Sequence, residues 1–316
     1  MADLIPPEVQ PPRTAEGDPR VGHLLARAAA SREPPRAVLI GFPTDVGVRR
    51  NGGRTGAAEA PRAIREALYR LTPGGDDDGR LAELLGRTRD LGDVATSDDL
   101  ARDQQLLGEI VASHLERGTF VMVLGGGHET AFGHFLAYAS LARRVEILNW
   151  DAHADVRPLA EDQGHSGSPF RQAIEHPGGA CIGYTVAGLQ PQSVAREHVA
   201  YIRGHGGRCA WRVELGPKDI AELSGELADG HDRLVSFDLD AVDQAFAPGV
   251  SAPCTGGFTI AEWLIAARHA GRNPGVRSCD IVELSPRHDR DGQTARLAAL
   301  AVWTVLRGVA ERGELR

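Results

Sequence analysis

The sequence predicts an α/β fold with parallel strands and helices on both faces, and three observations carry that reading. Short apolar runs alternate with stretches of helical periodicity along most of the chain. Strand then helix, repeated, needs crossover connections and therefore parallel strands. Polar motifs close three of the apolar runs, and open sheets of this kind bind ligands beyond the carboxyl ends of their strands. At 316 residues, with 42% hydrophobic and 25% charged side chains, the chain can fill one large domain with a continuous core.

Residues 1–35 read as an N-terminal arm, partly flexible, because proline and charge dominate its first twenty positions without an apolar stretch of signal-peptide type. A single catalytic domain is expected over 36–316. Strand-like runs fall at 37–42, 88–91, 120–124, 145–150, 180–183, 209–213, 234–239 and 278–284. Helical spacing fills 57–71, 98–117, 129–143, 191–203, 217–228, 260–270 and 294–311. The segment 72–79, with Asp76, Asp77 and Asp78 between glycines, reads as a solvated loop. The four cysteines show no C-x-x-C spacing and read as free thiols in a reducing compartment. With no run approaching the ~20 apolar residues of a membrane span, a cytoplasmic protein is expected. The net charge of −8 argues against a nucleic-acid surface.

The densest chemistry follows the run 145–150, where Asp151-Ala152-His153-Ala154-Asp155 sets a chemical group at every second residue. A strand alternates its side chains with period two, so these three groups are expected on one face. The run 234–237 ends similarly in Asp238-Leu239-Asp240, and 120–124 ends in Gly125-Gly126-Gly127-His128-Glu129. Two imidazoles and four carboxylates gathered at strand ends would repel or lose solvation unless positive charge sat among them. Oxygen-rich ligation with imidazole and no thiolate suits Mn²⁺ better than structural Zn²⁺. Four carboxylates neutralise two divalent cations, which would share ligands about 3.5–4 Å apart and lower the pKa of a water between them. The glycine run lacks the rest of a dinucleotide or phosphate-loop signature, and no nucleophile elbow or zinc-protease motif is present.

These motifs, with Asp280-Ile281-Val282-Glu283 after the last strand, resemble the ordered motifs of the arginase/ureohydrolase superfamily. The resemblance runs from about Gly41 to Arg296. It implies a three-layer α/β/α fold with a central parallel sheet of about eight strands and two Mn²⁺ per subunit. One metal would be held by His128, Asp151, Asp155 and Asp238, the other by Asp151, His153, Asp238 and Asp240, with Asp151 and Asp238 bridging. Finer details resemble the formimidoylglutamase branch. The segment Val46-Gly47-Val48-Arg49-Arg50-Asn51-Gly52-Gly53-Arg54-Thr55-Gly56 is similar to its N-terminal signature. Glu129 follows His128 where other branches have Ser, and Ser166-Gly167-Ser168-Pro169-Phe170 replaces a His-Gly step. Asp243 is retained as in agmatinases.

The implied reaction is hydrolysis of N-formimidoyl-L-glutamate to L-glutamate and formamide, a step of histidine degradation. Glu283 would bind the planar amidinium by paired charge-assisted hydrogen bonds. Asp155 would orient the attacking water and accept its proton, and His165 is the candidate donor to the leaving nitrogen. The two substrate carboxylates call for Arg or hydroxyl donors; Arg157, Ser166, Ser168 and Arg171 follow Asp155, and Arg49 and Arg54 lie in the other signature loop. The expected partner is a small anionic amidine, with neither nucleic acid nor membrane, and the expected assembly is a homo-oligomer. Two alternatives stay open: an agmatinase- or guanidinobutyrase-like enzyme releasing urea, and a non-catalytic relative acting as a binding protein.

Overall fold

The computed structural model describes residues 4–75, 78–225 and 230–312. In chain order its first elements are β1 (Leu4–Ile5), α1 (Val21–Ala30), β2 (Ala37–Phe42), α2 (Val46–Arg50), α3 (Ala60–Leu68), α4 (Arg80–Leu85), β3 (Thr88–Val94) and α5 (Leu100–Leu115). Then come β4 (Phe120–Gly125), α6 (Thr130–Ser140), β5 (Val145–Trp150), α7 (Pro169–Ile174), β6 (Cys181–Leu189), α8 (Arg196–Gly204) and β7 (Arg208–Trp211). The chain continues through α9 (Pro217–Gly225), β8 (Asp232–Asp238), α10 (Ile260–Arg272), β9 (Val276–Val282) and α11 (Gln293–Ala310).

The strands form one nine-stranded sheet in the order β1-β3-β2-β4-β9-β8-β5-β6-β7. Every pairing is parallel except that of β1, which runs antiparallel to β3. Successive side chains of each strand go to opposite faces, so two cores form. Ala37, Leu39, Phe120, Met122 and Leu124 pack with α1, α3, α4, α9, α10 and α11 on one face. Val38, Ile40, Phe42, Val121 and Val123 pack with α5, α6, α7 and α8 on the other. The result is the expected three-layer α/β/α sandwich. Because both faces are covered, the strands read as near-continuous apolar runs rather than alternating ones. Local signals agree: α10 opens with a capping box, in which Thr259 Oγ1 accepts from Glu262 N–H and Glu262 Oε2 accepts from Thr259 N–H.

The eight predicted runs are the eight parallel strands. The N-terminal arm departs from expectation. Leu4 and Ile5 pair with Val94 and Asp93 and cover the sheet edge. Val21, Leu25 and Ala28 are buried at i, i+4 and i+7 spacing, so α1 packs as an amphipathic helix where an arm was read. The short helices α2, α4 and α7 also escaped the sequence reading, since five or six residues hold too little periodicity. Residues 76–77 of the predicted loop and 226–228 of the predicted helix lie outside the described residues. Among the described residues no helix is long and apolar enough to cross a membrane.

The four central strands β4, β9, β8 and β5 are neighbours, and their carboxyl ends are level. Leu124 pairs with Ile281, Asp238 with Val282, and Trp150 with Phe237. The residues that follow them, His128, Glu283, Asp240 and Asp151, therefore emerge at one edge.

Candidate metal centre

The ligands converge by a different device from the strand alternation read in the sequence. β5 ends at Trp150 and β8 at Asp238, so most of the motif lies in the turns beyond. Asp151 Oδ1 accepts from the His153 N–H at 2.7 Å, and Asp238 Oδ1 accepts from the Asp240 N–H at 2.8 Å. The same aspartate turn thus folds both segments, with the first carboxylate oriented by the backbone two residues on. Asp155 then turns inward through a left-handed backbone, φ +45°, which Asp tolerates better than most residues. Asn149 Nδ2 holds the other oxygen of Asp151 at 2.9 Å.

Two ligand groups result. His128, Asp151, Asp155 and Asp238 form one, and Asp151, His153 and Asp240 the other, with donor atoms of each group within 4.8 Å of one another. Asp151 belongs to both. Asp238, expected as a second bridge, falls in the His128 group, with its Oδ1 accepting from the Asp240 N–H just as Asp151 Oδ1 accepts from that of His153.

This arrangement fits cations. His128 Nδ1 is surrounded by oxygens of Asp238 at 2.8 Å, Asp155 at 2.9 Å and Asp151 at 3.4 Å. None is aligned to hydrogen-bond the ring nitrogen, which is left without a partner, as is Asp240 Oδ1. A single proton could not satisfy three acceptors so placed; a central ion could. The charges point the same way. Burial, followed by the fields of Asp240 and Asp151, holds the Asp238 carboxyl well above the usual range. Burial also pushes Asp240 up to about 6, with the His153 charge opposing it. His153 is raised chiefly by Asp240. Buried negative charge therefore exceeds what the two imidazoles neutralise, and the donor set of carboxylates and imidazoles suits Mn²⁺.

Both groups open on a cavity of about 270 Å³ whose lining includes His153, Asp155, Asp238, Asp240 and Glu283. Asn51, Arg54, Arg157, Ser166 and Ser251 line the rest. Arg157 Nη1 donates to Asn51 Oδ1 at 3.0 Å, and Asn51 Nδ2 donates to Ser166 Oγ at 3.1 Å. Arg54 is anchored on the carbonyls of Ser251 and Val250. Glu283, at φ +67°, accepts the His128 N–H at 2.8 Å through Oε1. Burial, then the neighbouring Glu129 and Asp240, pushes its carboxyl up to about 8. The glycines before His128 have a steric role: a Cβ on Gly126 would fall 1.8 Å from the Thr44 carbonyl oxygen.

Four residues read as site candidates do not reach this cavity. His165 is buried, its Nε2–H donating to the Pro158 carbonyl and its Nδ1 accepting from Gly167 N–H; both ring nitrogens are engaged within the loop. Ser168 is fully buried, bonded to the backbone of His165. Arg171 donates to Val156 O and Glu175 and stacks on Tyr201. Arg49 is exposed and pairs with Asp98. Asn51 and Ser251 were missed, because separate loops bring them to the wall. Asp243 binds the backbone N–H groups of Ala245 and Gly256, so its presence has a loop-forming explanation.

Comparison with known proteins agrees with this geometry. The chain is 36% identical to the formimidoylglutamase of Rhodococcus jostii over 96% of both chains, and 37% identical to that of Rhodococcus opacus over 94% of both. Its structure is similar to the crystal structure of Trypanosoma cruzi formiminoglutamase with Mn2+2, with a TM-score of 0.83, 30% identity, and coverage of 93% of this chain and 99% of that one. The sequence profile of the arginase family matches residues 35–307, and with that span enclosing every ligand described above, the chain belongs to the arginase family.

Proposed function

We propose that this protein is a manganese-dependent formimidoylglutamase, hydrolysing the amidine C–N bond of N-formimidoyl-L-glutamate to L-glutamate and formamide. One observation carries the reading: two adjoining ligand groups open on a cavity whose lining also includes Arg54 and Arg157. A positive reacting group matches the carboxylates of that lining, and a doubly anionic tail its arginines. The names of the relatives support the same substrate.

His128, Asp151, Asp155 and Asp238 would hold one Mn²⁺, and Asp151, His153 and Asp240 the other. Two such ions, when bound, lower the pKa of water toward neutrality and so supply a nucleophile at physiological pH. Glu283 keeps Oε1 on the His128 backbone and offers the cavity side of its carboxylate to the amidinium. The cation restores the charged form that burial disfavours. Asp155 accepts the proton released as the C–O bond forms and returns it to the glutamate nitrogen as the C–N bond breaks. That route needs no imidazole donor. Arg157, held by Asn51, which is itself bonded to Ser166, and Arg54 receive the carboxylates of the glutamate moiety. The four free cysteines support a reducing, cytoplasmic setting, and a homo-oligomer is part of the proposal.

The test is a substrate screen of Mn²⁺-loaded protein with formimidoylglutamate, agmatine and 4-guanidinobutyrate, scoring formamide and urea. Formamide from formimidoylglutamate is expected. Preferred release of urea from either guanidine would overturn the assignment.

A further inference from the structure

A chain of buried polar groups leads away from His128 into the middle of the sheet, where no ligand reaches. Its centre is Asp280 on β9, fully buried and level with Ser236 of β8 and Val123 of β4. Asp280 Oδ1 accepts from Ser236 Oγ at 2.5 Å, and Ser236 Oγ lies 3.0 Å from His128 Nε2. On the other side Asp280 Oδ2 is 2.7 Å from His134 Nδ1. His134 Nε2 is 2.6 Å from Ser278 Oγ, which is 2.6 Å from Tyr138 Oη.

The donors order themselves. A carboxylate only accepts, so Ser236 must spend its one hydrogen on Asp280. Ser236 can then only accept from His128, which places that ring's proton on Nε2 and leaves the Nδ1 lone pair facing Asp155 and Asp238. His134 likewise directs Nδ1–H to Asp280, and Tyr138 and Ser278 complete its other side. Every hydrogen bond in the chain is satisfied by this one assignment.

Such a network is costly to build where its strand neighbours are Leu234, Val235, Phe237, Cys279 and Ile281, all buried and apolar. Apolar residues of similar size would stabilise the sheet as well or better. Its product is a fixed tautomer and ring orientation at one metal ligand, the service that outer partners give ligating histidines. We infer that Asp280 and His134 are positioning residues of the metal centre, acting through Ser236 to hold His128 ready for the ion on its side. This inference rests on the two-metal reading above.

Asp280→Leu removes the acceptor while filling the space. Mn²⁺ titration followed by electron paramagnetic resonance, with metal content after gel filtration, should show one of the two sites weakened about 10–100-fold. The other site should stay within twofold, and the thermal midpoint should fall in both metal-free and metal-loaded protein, because Ser236 and His134 lose their shared acceptor. Asp280→Asn keeps an acceptor for Ser236 and should recover most of the lost affinity; His134→Asn, which keeps a donor toward Asp280, should likewise stay near wild type. Two sites of wild-type affinity in a folded Asp280→Leu protein, or equal weakening of both, would overturn the inference and leave a purely structural role. Should Asp280→Leu not fold, Ser236→Ala decides. It cuts the same link with little change in packing, and two intact sites there refute the relay. If the wild type itself binds no manganese, the two-metal reading fails first and this one with it.

Discussion

Replacing Arg157 with alanine tests whether the arginines lining the cavity read the glutamate tail. Its guanidinium is exposed but held in place, with Nη1 on Asn51 Oδ1 and Asn51 in turn on Ser166. Truncating one partner of a buried charge pair costs about 2–4 kcal/mol. Solvent at this site screens the interaction, so about 1–2 kcal/mol is the better figure. At 1.4 kcal/mol per tenfold, kcat/KM for formimidoylglutamate should fall about 5–30-fold. The loss should appear in KM, because the tail contacts are the same before and during reaction. The informative assay compares formimidoylglutamate with formimidoyl-4-aminobutyrate, which lacks one carboxylate. Wild type should discriminate between them, the Arg157→Ala protein should discriminate less, and raising the salt should narrow the wild-type margin. Both proteins should carry the same manganese. Unchanged discrimination in Arg157→Ala would show that the carboxylates bind elsewhere.

Other substitutions separate the roles assigned above. Asp151→Ala removes the ligand common to both groups and should empty both sites, whereas Asp240→Ala should lose one ion and retain the other; metal analysis after desalting reads the difference. Chelation should abolish turnover, and Mn²⁺ should restore it better than Mg²⁺, because imidazole ligands favour the transition metal. Glu283→Gln should depress kcat by at least about tenfold, since a neutral amide loses the charge-assisted contact to the reacting group. Arg49→Ala should leave kcat/KM within about twofold, because its side chain pairs with Asp98 outside the cavity; a larger loss would return Arg49 to the substrate.

The parts of the molecule legible in the sequence share one property: they depend on short stretches of chain. The parallel strands were visible because burial on both faces demands runs such as Val121-Met122-Val123-Leu124. The candidate metal ligands were visible because carboxylates and imidazoles close those runs. Their convergence was read for the wrong geometric reason, since aspartate turns after Asp151 and Asp238 do what extended alternation was expected to do. The substrate wall was only partly legible. Arg157 and Arg171 sit in one loop region with similar prospects in sequence, yet one lines the cavity and the other stacks on Tyr201. Which way a loop side chain points is settled by partners distant in sequence, as Asn51 is for Arg157. The buried relay left a faint trace, in the polar Ser236, Ser278 and Asp280 inside apolar strands.

The left-handed backbone at Glu283 bears on how such an enzyme evolves. A glutamate at φ +67° gives up of order 1 kcal/mol that glycine would not, and its buried carboxyl adds repulsion from Glu129 and Asp240. A library selected only for folded yield or heat resistance should therefore gain little from keeping Glu283, since Glu283→Gly trades strain and repulsion against the lost bond to the His128 N–H, while turnover is lost. Selection for catalysis is what holds the glutamate at this position, and stabilising changes elsewhere in the sheet are what allow it to carry the strain.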